Sequence, residues 1–567
     1  MKHYRQIGGA AIIALCTSGC SYLQFLPFLK SPVDTRPKGR SSTIEGPGFA
    51  LQDRASYAID PAADWPAYND EPEGLRYSSL AQITVANVAS LAPVCKFTTD
   101  EQTPMQSGPV VVGGVMYLTS ATNTYAVDAA TCKLIWRHSY VYSPHPDYDL
   151  KTNRGVAYLD TPDGPRLFRG ANDGRVYALD ALTGKEVWNV LAGDVKRGET
   201  FPAAPIAWRG MVFIGNAGGD NFAVTGRMMA FDARTGARIW SFDLVPRFGP
   251  ASLTWPAETN RVPRGGGTTW TSYTLDTLTG TIYVPTGNAA PDFLQEVREG
   301  DDLYTYSVIG LDTRTGALKH AYQLLKRDFH DWDVAAAPLL VTTHDHRHIV
   351  AEAGKDGHLY GVDRESGRIL YSTPVTTLFN GTAPFTAAGT RFCPGVQGGV
   401  EWNGPAYSPS TNMLYVGSVD WCSTVRIDPP DKLKNKLGIP WTGSARLMDP
   451  FGVMDSLSSR RGWLTAVDAD NGSVKWRYAS PTPLVAGVTA TAGGLVFAAD
   501  LNGNVLGFDQ SDGSIRFRYN TGQPIGGGVV SYAVGGRQYI AVASGLDAPM
   551  TWQTKSSAAT VVVLGLR

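Results

Sequence analysis

A hydrophobic hairpin pattern recurs along most of this 567-residue chain. In each copy an apolar run ends in Asp, a short turn with Thr-Gly or a similar pair follows, and an aromatic residue stands eight positions after the Asp. The copies are Ala126–Trp136, Ala178–Trp188, Ala230–Trp240, Gly310–His320, Gly361–Tyr371, Ala466–Trp476 and Gly507–Phe517. The pattern predicts a strand, a tight turn with a left-handed residue, and a returning strand whose aromatic side chain packs on a neighbour. Because one hairpin cannot bury its face alone, the copies are expected to stack.

The spacing of the recurrent Asp positions predicts the number of stacked units. Successive aspartates of the seven copies are separated by 52, 52, 80, 51, 105 and 41 residues. An interval of about 50 residues matches one four-stranded blade of a β-propeller, so 105 indicates two blades and 80 indicates one blade with an insertion. We assign the missing copy to 405–416. The prediction is an all-β, eight-bladed propeller of four-stranded antiparallel blades over 64–567, in which a strand at 560–566 closes the ring by pairing with strand material after Trp65.

Composition agrees with this fold class and excludes some partners. The chain has 62 Gly, 36 Pro, 25 Tyr and 14 Trp, which is typical of many short strands joined by tight turns. The formal net charge is −1, so the sequence offers no basic surface for nucleic acid or for membrane lipid. No nucleic-acid partner is expected.

The first residues have the features of an export signal. Residues 1–20 begin with basic residues, continue with an apolar run at 7–15 and end with small residues before Cys20, as in bacterial lipoproteins. Lipidation of Cys20 is therefore expected, with plain secretion as the alternative. Ser21 is not the Asp that retains lipoproteins at the inner membrane of enteric bacteria, which favours the periplasmic side of the outer membrane. Pro-rich residues 21–63 are expected to form a flexible tether, so that only a lipid anchor contacts the membrane.

Four cysteines remain outside this signal. An even number in an oxidising compartment predicts two disulfides, and sequence proximity favours Cys95 with Cys132 and Cys393 with Cys422. The sequence contains no Cys-x-x-Cys-His motif for covalent attachment of a c-type haem. Electrons produced by any redox reaction are therefore expected to leave through a separate carrier.

A glycine-rich stretch suggests a binding platform. Three glycines at 265–267 are followed by Trp270, and a short strand then leads to Asn288. Backbone without Cβ atoms beside a large indole can lie against a flat ligand, and the Asn side chain offers a neutral oxygen to a hard cation. The alternative is a glycine bulge at a sheet corner, with Trp270 in the core.

Together with the hairpins, Gly265–Trp270, Thr286–Asn288 and Trp332–Asp333 resemble the pyrroloquinoline-quinone (PQQ)-dependent alcohol dehydrogenases, a quinoprotein family of eight-bladed propellers. The resemblance covers about residue 64 to the C terminus. It implies oxidation of an alcohol to an aldehyde or ketone by hydride transfer to PQQ, with Ca²⁺ polarising the quinone and a carboxylate accepting the alcohol proton. It also implies a separate electron acceptor, such as a cytochrome c or a membrane quinone.

The resemblance assigns the base and the metal ligands. Asp333 matches the catalytic base, which also lies at the metal. Asp220 replaces the usual Glu ligand after a glycine-rich turn, and Asn288 matches the amide ligand. In lanthanide-dependent members a further Asp stands two residues after the base. Here that residue is Ala335, which favours Ca²⁺.

Other matches surround the cofactor. Trp270 would be the floor on which the quinone stacks, Thr268 would bind its edge, and Arg154 and Lys355 would hold its oxygens. The further positions expected at the cofactor are Gln106, Gly218, Gly219, Glu401 and Trp402.

Several positions depart from the family pattern at the roof of the pocket. Tyr148 and Asp149 stand where many members have adjacent cysteines, Gln106 where Glu is usual, and Glu401 where Asn is common. A polymeric or sugar alcohol is one substrate class that such a roof allows. The competing hypothesis is a non-catalytic propeller lipoprotein that acts as a scaffold or binding module in the outer membrane.

Overall fold

A computed structural model of the chain describes residues 41–46, 58–140, 151–445 and 449–567. Within these ranges the regular elements are strands and 3₁₀ turns, and no α-helix occurs. Accordingly, the described residues contain no helix that could span a membrane. The 3₁₀ turns are Val88–Ser90, Val195–Arg197, Pro250–Thr254, Gln295–Val297, Pro430–Lys432 and Leu457–Ser459.

Three strands precede the first blade and join other parts of the ring: β1 (Ser41–Glu45), β2 (Tyr77–Ser78) and β3 (Leu91–Thr98). Blade 1 contains β4 (Val110–Val112), β5 (Val115–Thr119), β6 (Asn123–Asp128) and β7 (Leu134–Tyr140). Blade 2 contains β8 (Ala157–Thr161), β9 (Gly164–Gly170), β10 (Arg175–Asp180) and β11 (Glu186–Leu191). Blade 3 contains β12 (Ile206–Trp208), β13 (Met211–Gly215), β14 (Arg227–Asp232) and β15 (Arg238–Asp243).

Blade 4 contains β17 (Thr274–Asp276), β18 (Thr281–Pro285), β20 (Ser307–Asp312) and β21 (Leu318–Gln323). Beside it, β16 (Gly265–Gly266) pairs with β19 (Ala289–Ala290). Blade 5 contains β22 (Leu339–Thr342), β23 (His348–Ala353), β24 (His358–Asp363) and β25 (Ile369–Pro374).

Blade 6 contains β27 (Ala406–Ser408), β28 (Met413–Asp420), β31 (Arg461–Asp468) and β32 (Val474–Ser480). A small sheet beside it contains β26 (Thr390–Phe392), β29 (Ser423–Val425) and β30 (Val453–Met454). Blade 7 contains β33 (Thr489–Thr491), β34 (Leu495–Ala499), β35 (Asn504–Asp509) and β36 (Ile515–Asn520), and blade 8 contains β37 (Val529–Val534), β38 (Arg537–Ser544) and β39 (Thr560–Leu566).

These sheets close into a ring through eight apolar interfaces. Each pair of successive blades shares a cluster of buried side chains, and the series ends with a cluster common to blades 8 and 1. Strand β3 completes blade 8 by pairing antiparallel with β39. The predicted eight-bladed propeller and its closure by the C-terminal strand are therefore confirmed.

The predicted position of the eighth blade is wrong. Residues 405–416 hold the first two strands of blade 6, and the Asp468 hairpin supplies the other two strands of the same sheet. The 105-residue interval is thus one blade with a long insertion between β28 and β31. The true eighth blade lacks the Asp-turn signature because its last two strands are joined by ring closure instead of by a hairpin.

The recurrent aspartates and aromatic residues hold neighbouring blades together. Asp180 Oδ1 accepts hydrogen bonds from the backbone and hydroxyl of Thr183, which fixes the turn before the left-handed Gly184. Trp136 of the preceding blade packs on that glycine, where a Cβ would lie 2.5 Å from the indole, and its Nε1 donates to Ala181 O at 3.1 Å. The predicted blade-packing role of the tryptophans is confirmed.

Both predicted disulfides are present. Cys95 on β3 bonds to Cys132 in the turn after β6, so this bond connects the closing strand of blade 8 to blade 1. Cys393, which precedes blade 6, bonds to Cys422 in the insertion of that blade. A crosslink at ring closure restricts the unfolded chain over a 37-residue separation.

Part of the predicted tether is folded. Residues 41–45 form β1, which adds a fifth strand to blade 1 by pairing antiparallel with β7. For these five residues the structure has a strand where the sequence predicted a flexible segment. Cys20 and the rest of the signal lie outside the described residues.

Candidate active site

The residues predicted to form the site lie in loops at one end of the blades. Arg154, Trp270, Asp333 and Glu401 each precede the first strand of a sheet, and Lys355 follows the second strand. In an antiparallel sheet the start of one strand and the end of its neighbour lie at the same edge. Loops from different blades therefore converge at a common end of the ring.

The glycine-rich segment is joined directly to the loop that carries Asn288. Gly266 and Gly267 have φ values of 88° and 64°, and the amide of Gly267 donates to Asn288 O at 2.7 Å. A Cβ on Gly266 would lie 2.2 Å from that same oxygen, so only glycine fits. The amide of Gly287 in turn donates to Thr268 O at 2.8 Å. These contacts place the segment before Trp270 next to the predicted metal ligand.

Two tryptophans and an arginine form an aromatic sandwich. The Arg154 guanidinium carbon lies 4.6 Å from the centre of the Trp270 ring and 5.7 Å from that of Trp402. Its Nη1 also donates to Trp270 O at 2.9 Å. Burial lowers the pKa of Arg154 to about 10. Trp402 is buried and donates to Gly526 O, whereas Trp270 keeps part of its surface exposed.

Asp333 is oriented by two neighbours. Its Oδ1 accepts a hydrogen bond from the backbone amide of Asn288 at 2.8 Å, and its Oδ2 lies 3.3 Å from Lys355 Nζ. A Cβ on Gly287 would approach Asp333 Oδ1 to 2.5 Å, so this glycine admits the carboxylate. Lys355 also lies 3.4 Å from Asp331. Burial opposes the charge of Lys355, but the carboxylates of Asp331 and Asp333 outweigh it and raise its pKa.

A second group of carboxylates lies beside Asp333. One carboxylate oxygen from each of Asp220, Asp292 and Asp331 lies within 4.8 Å of the other two. Asp292 is completely buried, and neither of its carboxylate oxygens has a hydrogen-bond partner. Burial raises the pKa of Asp292 well above its usual value, and the charges of Asp220 and Asp331 add to the effect. Three hard oxygen donors converge here, which is the donor chemistry of a cation site.

Arg298 holds the two segments that carry these acids. Its Nε donates to Pro291 O at 2.8 Å, and its Nη2 donates to Asp292 O at 3.1 Å and to Asp328 O at 2.9 Å. Its Nη1 pairs with Asp302 at 2.9 Å. The guanidinium therefore binds backbone carbonyls on both sides of the site and leaves the Asp292 carboxylate unpaired.

The remaining predicted residues are also at this end of the ring. Glu401 is 7% exposed, and burial raises its pKa to about 7, with Lys355 and Arg154 acting in the opposite direction. Gln106 is buried with an unpartnered Oε1. Gly219 packs on the Thr268 side chain, and Gly218 has a left-handed φ of 95°. Tyr148 and Asp149, predicted at the roof, lie outside the described residues.

Sequence reasoning missed Asp292, Asp331 and Arg298 as members of the site. Asp331 was visible only as an Asp-Trp-Asp triplet with Asp333, and Asp292 as an acid four residues after Asn288. Neither spacing in the sequence predicts membership of the site, because the loops come together only in the folded ring. The predicted Asp220, Asn288, Asp333 and Lys355 do meet, and the structure adds two carboxylates to them.

Comparisons with known proteins match the same part of the chain. The PQQ family model, described as the glucose/ethanol/alcohol dehydrogenase β-propeller domain, matches residues 65–378. A second model, described as the outer membrane protein assembly factor BamB, matches residues 460–566. The quinohemoprotein alcohol dehydrogenase of Comamonas testosteroni is 29% identical over 87% of this chain and 74% of its own. The dehydrogenase subunit of a quinone alcohol dehydrogenase from Gluconacetobacter polyoxogenes is 29% identical over 89% and 74%.

Solved structures show the same likeness. The quinohemoprotein alcohol dehydrogenase ADHIIG of Pseudomonas putida HK5 superposes with a TM-score of 0.79 at 26% identity, covering 89% of this chain and 80% of its own. The Comamonas testosteroni enzyme superposes with a TM-score of 0.78 at 28% identity, covering 90% and 81%. A europium-containing methanol dehydrogenase gives 0.78 at 25% identity, covering 89% and 98%. With a family model over more than half of its length and an eight-bladed ring that carries the site, the chain belongs to the PQQ-dependent alcohol dehydrogenase family of quinoprotein β-propellers.

Proposed function

We propose that this protein oxidises an alcohol to the aldehyde or ketone with PQQ as the electron acceptor and Asp333 as the base. The observation that carries the proposal is the placement of Asp333, which is oriented by Asn288 and Lys355 and lies beside a cluster of carboxylates. A base next to a cation site and a stacking indole is the arrangement that alcohol oxidation by a quinone requires.

The residues present fit PQQ, a planar quinone that carries carboxylate groups. Trp270 offers a partly exposed aromatic face. Two buried cations can contribute donors to anionic oxygens: Arg154, whose hydrogen bond goes to a backbone carbonyl, and Lys355, which also contacts Asp331 and Asp333. Gln106 and three neighbours of Trp270 in the chain also carry buried polar atoms without partners, which suits a polar ligand: Gln106 Oε1, Thr269 Oγ1, Thr271 Oγ1 and Ser272 Oγ. Arg154 covers the Trp270 face in the structure, so binding is expected to move its guanidinium toward the ligand edge.

When bound, PQQ would supply a two-electron acceptor for hydride, and a bound cation would supply Lewis acidity. Asp333 would accept the hydroxyl proton of the alcohol. Its Oδ1 is already held by the backbone amide of Asn288, so we propose that Oδ2, on the side of Lys355, takes the proton. Lys355, at 3.3 Å from Oδ2, holds the carboxylate in place before the transfer.

For the cation we propose an all-oxygen set that includes Asp220 and Asn288, with Asp333 adjacent. Ca²⁺ is the ion predicted by the sequence because Ala335 stands where lanthanide-dependent members have an acid. Carboxylate and amide oxygens are suitable ligands for Ca²⁺.

We also propose that electrons pass to a separate carrier, such as a cytochrome c or a membrane quinone. The sequence has no site for covalent c-type haem, whereas several relatives are named quinohemoproteins. The two disulfides favour an oxidising compartment, for which we propose the periplasm. Anchoring to the outer membrane through Cys20 stays a prediction.

The scaffold hypothesis has one supporting observation, which is the match of the BamB model. That match is confined to residues 460–566, and none of the proposed site residues lies in that range. It follows the blade repeat alone, which catalytic and non-catalytic propellers share. The dehydrogenase is therefore the favoured function.

The test is reconstitution of the purified protein with PQQ in the presence of Ca²⁺, followed by dye reduction over a panel of primary, secondary and polyhydric alcohols. Asp333→Asn is expected to bind PQQ and to lose alcohol-dependent reduction. Asp312→Asn is the control and is expected to keep both, because Asp312 is the half-buried last residue of β20 in blade 4 and is not one of the site residues. Failure of the wild-type protein to bind PQQ with the cation in excess would overturn the proposal.

A further inference from the structure

The carboxylates at the active end of the ring exceed the cations that could pair with them. Lys355 contacts Asp331 and Asp333, and Arg298 pairs with Asp302. Arg154 lies between two indole rings, with one hydrogen bond to a backbone carbonyl. None of these cations forms an ion pair with Asp292.

Asp292 is the group that the proposed reaction leaves unexplained. It has no exposed surface, and both of its carboxylate oxygens lack a partner among the described residues. Buried carboxylates in folded proteins are paired, hydrogen-bonded or bound to metal. One of its oxygens lies within 4.8 Å of oxygens from Asp220 and Asp331, so the unpartnered group points into a cluster of acids.

The surrounding contacts preserve this arrangement. Arg298 binds the backbone oxygens of Asp292 and Asp328, so it fixes the two loops relative to each other without neutralising the acids. The Asp328 carboxylate accepts the amides of His330 and Trp332 at 3.0 and 3.1 Å, which shapes the segment on both sides of Asp331. Arg298 and the Asp328 carboxylate thus hold acidic side chains close together. A bound cation in the folded state would offset the repulsion between them.

We propose that Asp292 and Asp331 are cation ligands which, with Asp220, form a three-carboxylate site whose charge favours a trivalent ion over Ca²⁺. The role of that ion as a Lewis acid rests on the proposed function, but the binding site itself does not. The expectation of Ca²⁺ from Ala335 considered only the position after the base. The structure supplies the additional acids from two other places, one before the base and one after Asn288.

The preference follows from counting charge. When ionised, the three clustered carboxylates and the adjacent Asp333 carry a formal charge of −4. Lys355 contributes +1 and the neutral side-chain amide of Asn288 adds none, so the net charge is −3. A divalent ion would leave a net negative charge in a buried site, whereas a trivalent ion of similar size would neutralise it. The number of charged ligands is a main determinant of how tightly oxygen sites hold hard cations.

The experiment uses the full-length chain freed of cations and of PQQ, with terbium as the probe. Tb³⁺ emission sensitised by nearby tryptophan is titrated, and Ca²⁺ is then used to displace the ion. The wild-type protein is expected to bind one Tb³⁺ at least about 100-fold more tightly than Ca²⁺. Asp292→Asn and Asp331→Asn are each expected to weaken Tb³⁺ binding about tenfold or more and to weaken Ca²⁺ binding less.

Glu352→Gln is the matched control. Glu352 is also completely buried with an unpartnered carboxylate oxygen, but it is not one of the three clustered acids. Its variant should bind Tb³⁺ within about twofold of wild type. Thermal unfolding without metal checks the fold. Asp292→Asn should unfold at or above the wild-type temperature, because it removes a buried carboxyl group that has no partner. Asp331→Asn should unfold close to the wild-type temperature, because Lys355 keeps its pairing with Asp333.

Tb³⁺ affinity unchanged in both Asp variants, or reduced equally in Glu352→Gln, would overturn the site. Equal displacement of Tb³⁺ by stoichiometric Ca²⁺ would overturn the trivalent preference. All of these readouts are obtained without quinone or alcohol. Loss of the cation site and loss of the proposed dehydrogenase activity are therefore separate results.

Discussion

Substitution of Glu401 by Gln tests the electrostatics of the site most directly. Glu401 is 7% exposed, and burial together with the charge of Asp333 raises its pKa to about 7, against the partial compensation by Lys355 and Arg154. An ionised Glu401 is therefore a cost to the protein without its cation and quinone. The Gln side chain has nearly the same shape and no charge, so the variant removes that cost.

The sign and size of the stability change follow from the pKa values of Glu401 in the folded protein and in the unfolded chain. Because the folded-state pKa of about 7 lies above the ordinary value of 4.5, the folded protein binds more protons than the unfolded chain between these values. The stability of the wild type therefore falls as the pH rises through this window. At about 1.4 kcal/mol per pKa unit, the full difference is about 3 kcal/mol. Relative to wild type, Glu401→Gln should gain this amount between pH 4.5 and pH 8.

The assay is urea unfolding of both proteins, without PQQ or added cations, at several pH values from 4.5 to 8. Asp312→Ala is the control, because hydrogen bonds from Lys319 and Thr315 outweigh its partial burial and lower the pKa of Asp312 to about 2. Its contribution is complete above pH 3.8, so its effect on stability should be constant over the same window. A Glu401→Gln difference that does not change with pH would refute the reasoning.

Three further predictions concern packing, closure and the quinone platform. Trp136→Ala removes a buried indole and its bond to Ala181 O, and should cost about 3–5 kcal/mol in thermal or urea unfolding; a loss under about 1 kcal/mol would contradict the docking role. Replacing Cys95 and Cys132 together by Ser should lower stability by about 2–4 kcal/mol, and an unchanged unfolding midpoint would show that ring closure does not need the bond. Trp270→Ala should weaken PQQ binding about tenfold in a fluorescence titration while changing the unfolding temperature little, since the indole is partly exposed; unchanged affinity would exclude stacking on this ring.

Much of the fold could be predicted because it is repetitive. The Asp turn and the aromatic residue eight positions later are local signals. Each copy of this pattern predicts the same hairpin and the same contact with the next blade. The blade at residues 405–416 was misplaced because its signal lies in an interval lengthened by an insertion. Interval length alone does not distinguish two blades from one blade that contains 40 more residues between β28 and β31.

Ring closure and the disulfides were predictable for different reasons. The C-terminal strand at 560–566 needs a partner, since an unpaired edge strand is a liability, and the first long β-rich segment of the propeller supplies it. Cys95 and Cys132 are close in sequence, but the structure shows why the bond matters: the two residues belong to different blades. The tether prediction failed at 41–45 because β1 is held by pairing with β7, a contact that composition does not reveal.

The sequence alone determined the fold class and the individual residue types that quinone chemistry needs, such as Trp270 and Asp333. These features depend on patterns of residues within short stretches of the sequence. Only the tertiary structure decided which acids share the site. Asp220, Asp292 and Asp331 come from three separate segments, and the distance between their oxygens depends on how Arg298 and the glycine-rich segment bring those segments together. The charge at a site is the total over residues that are close in space. Residues distant in the sequence contribute to it, so it is known only from the folded ring.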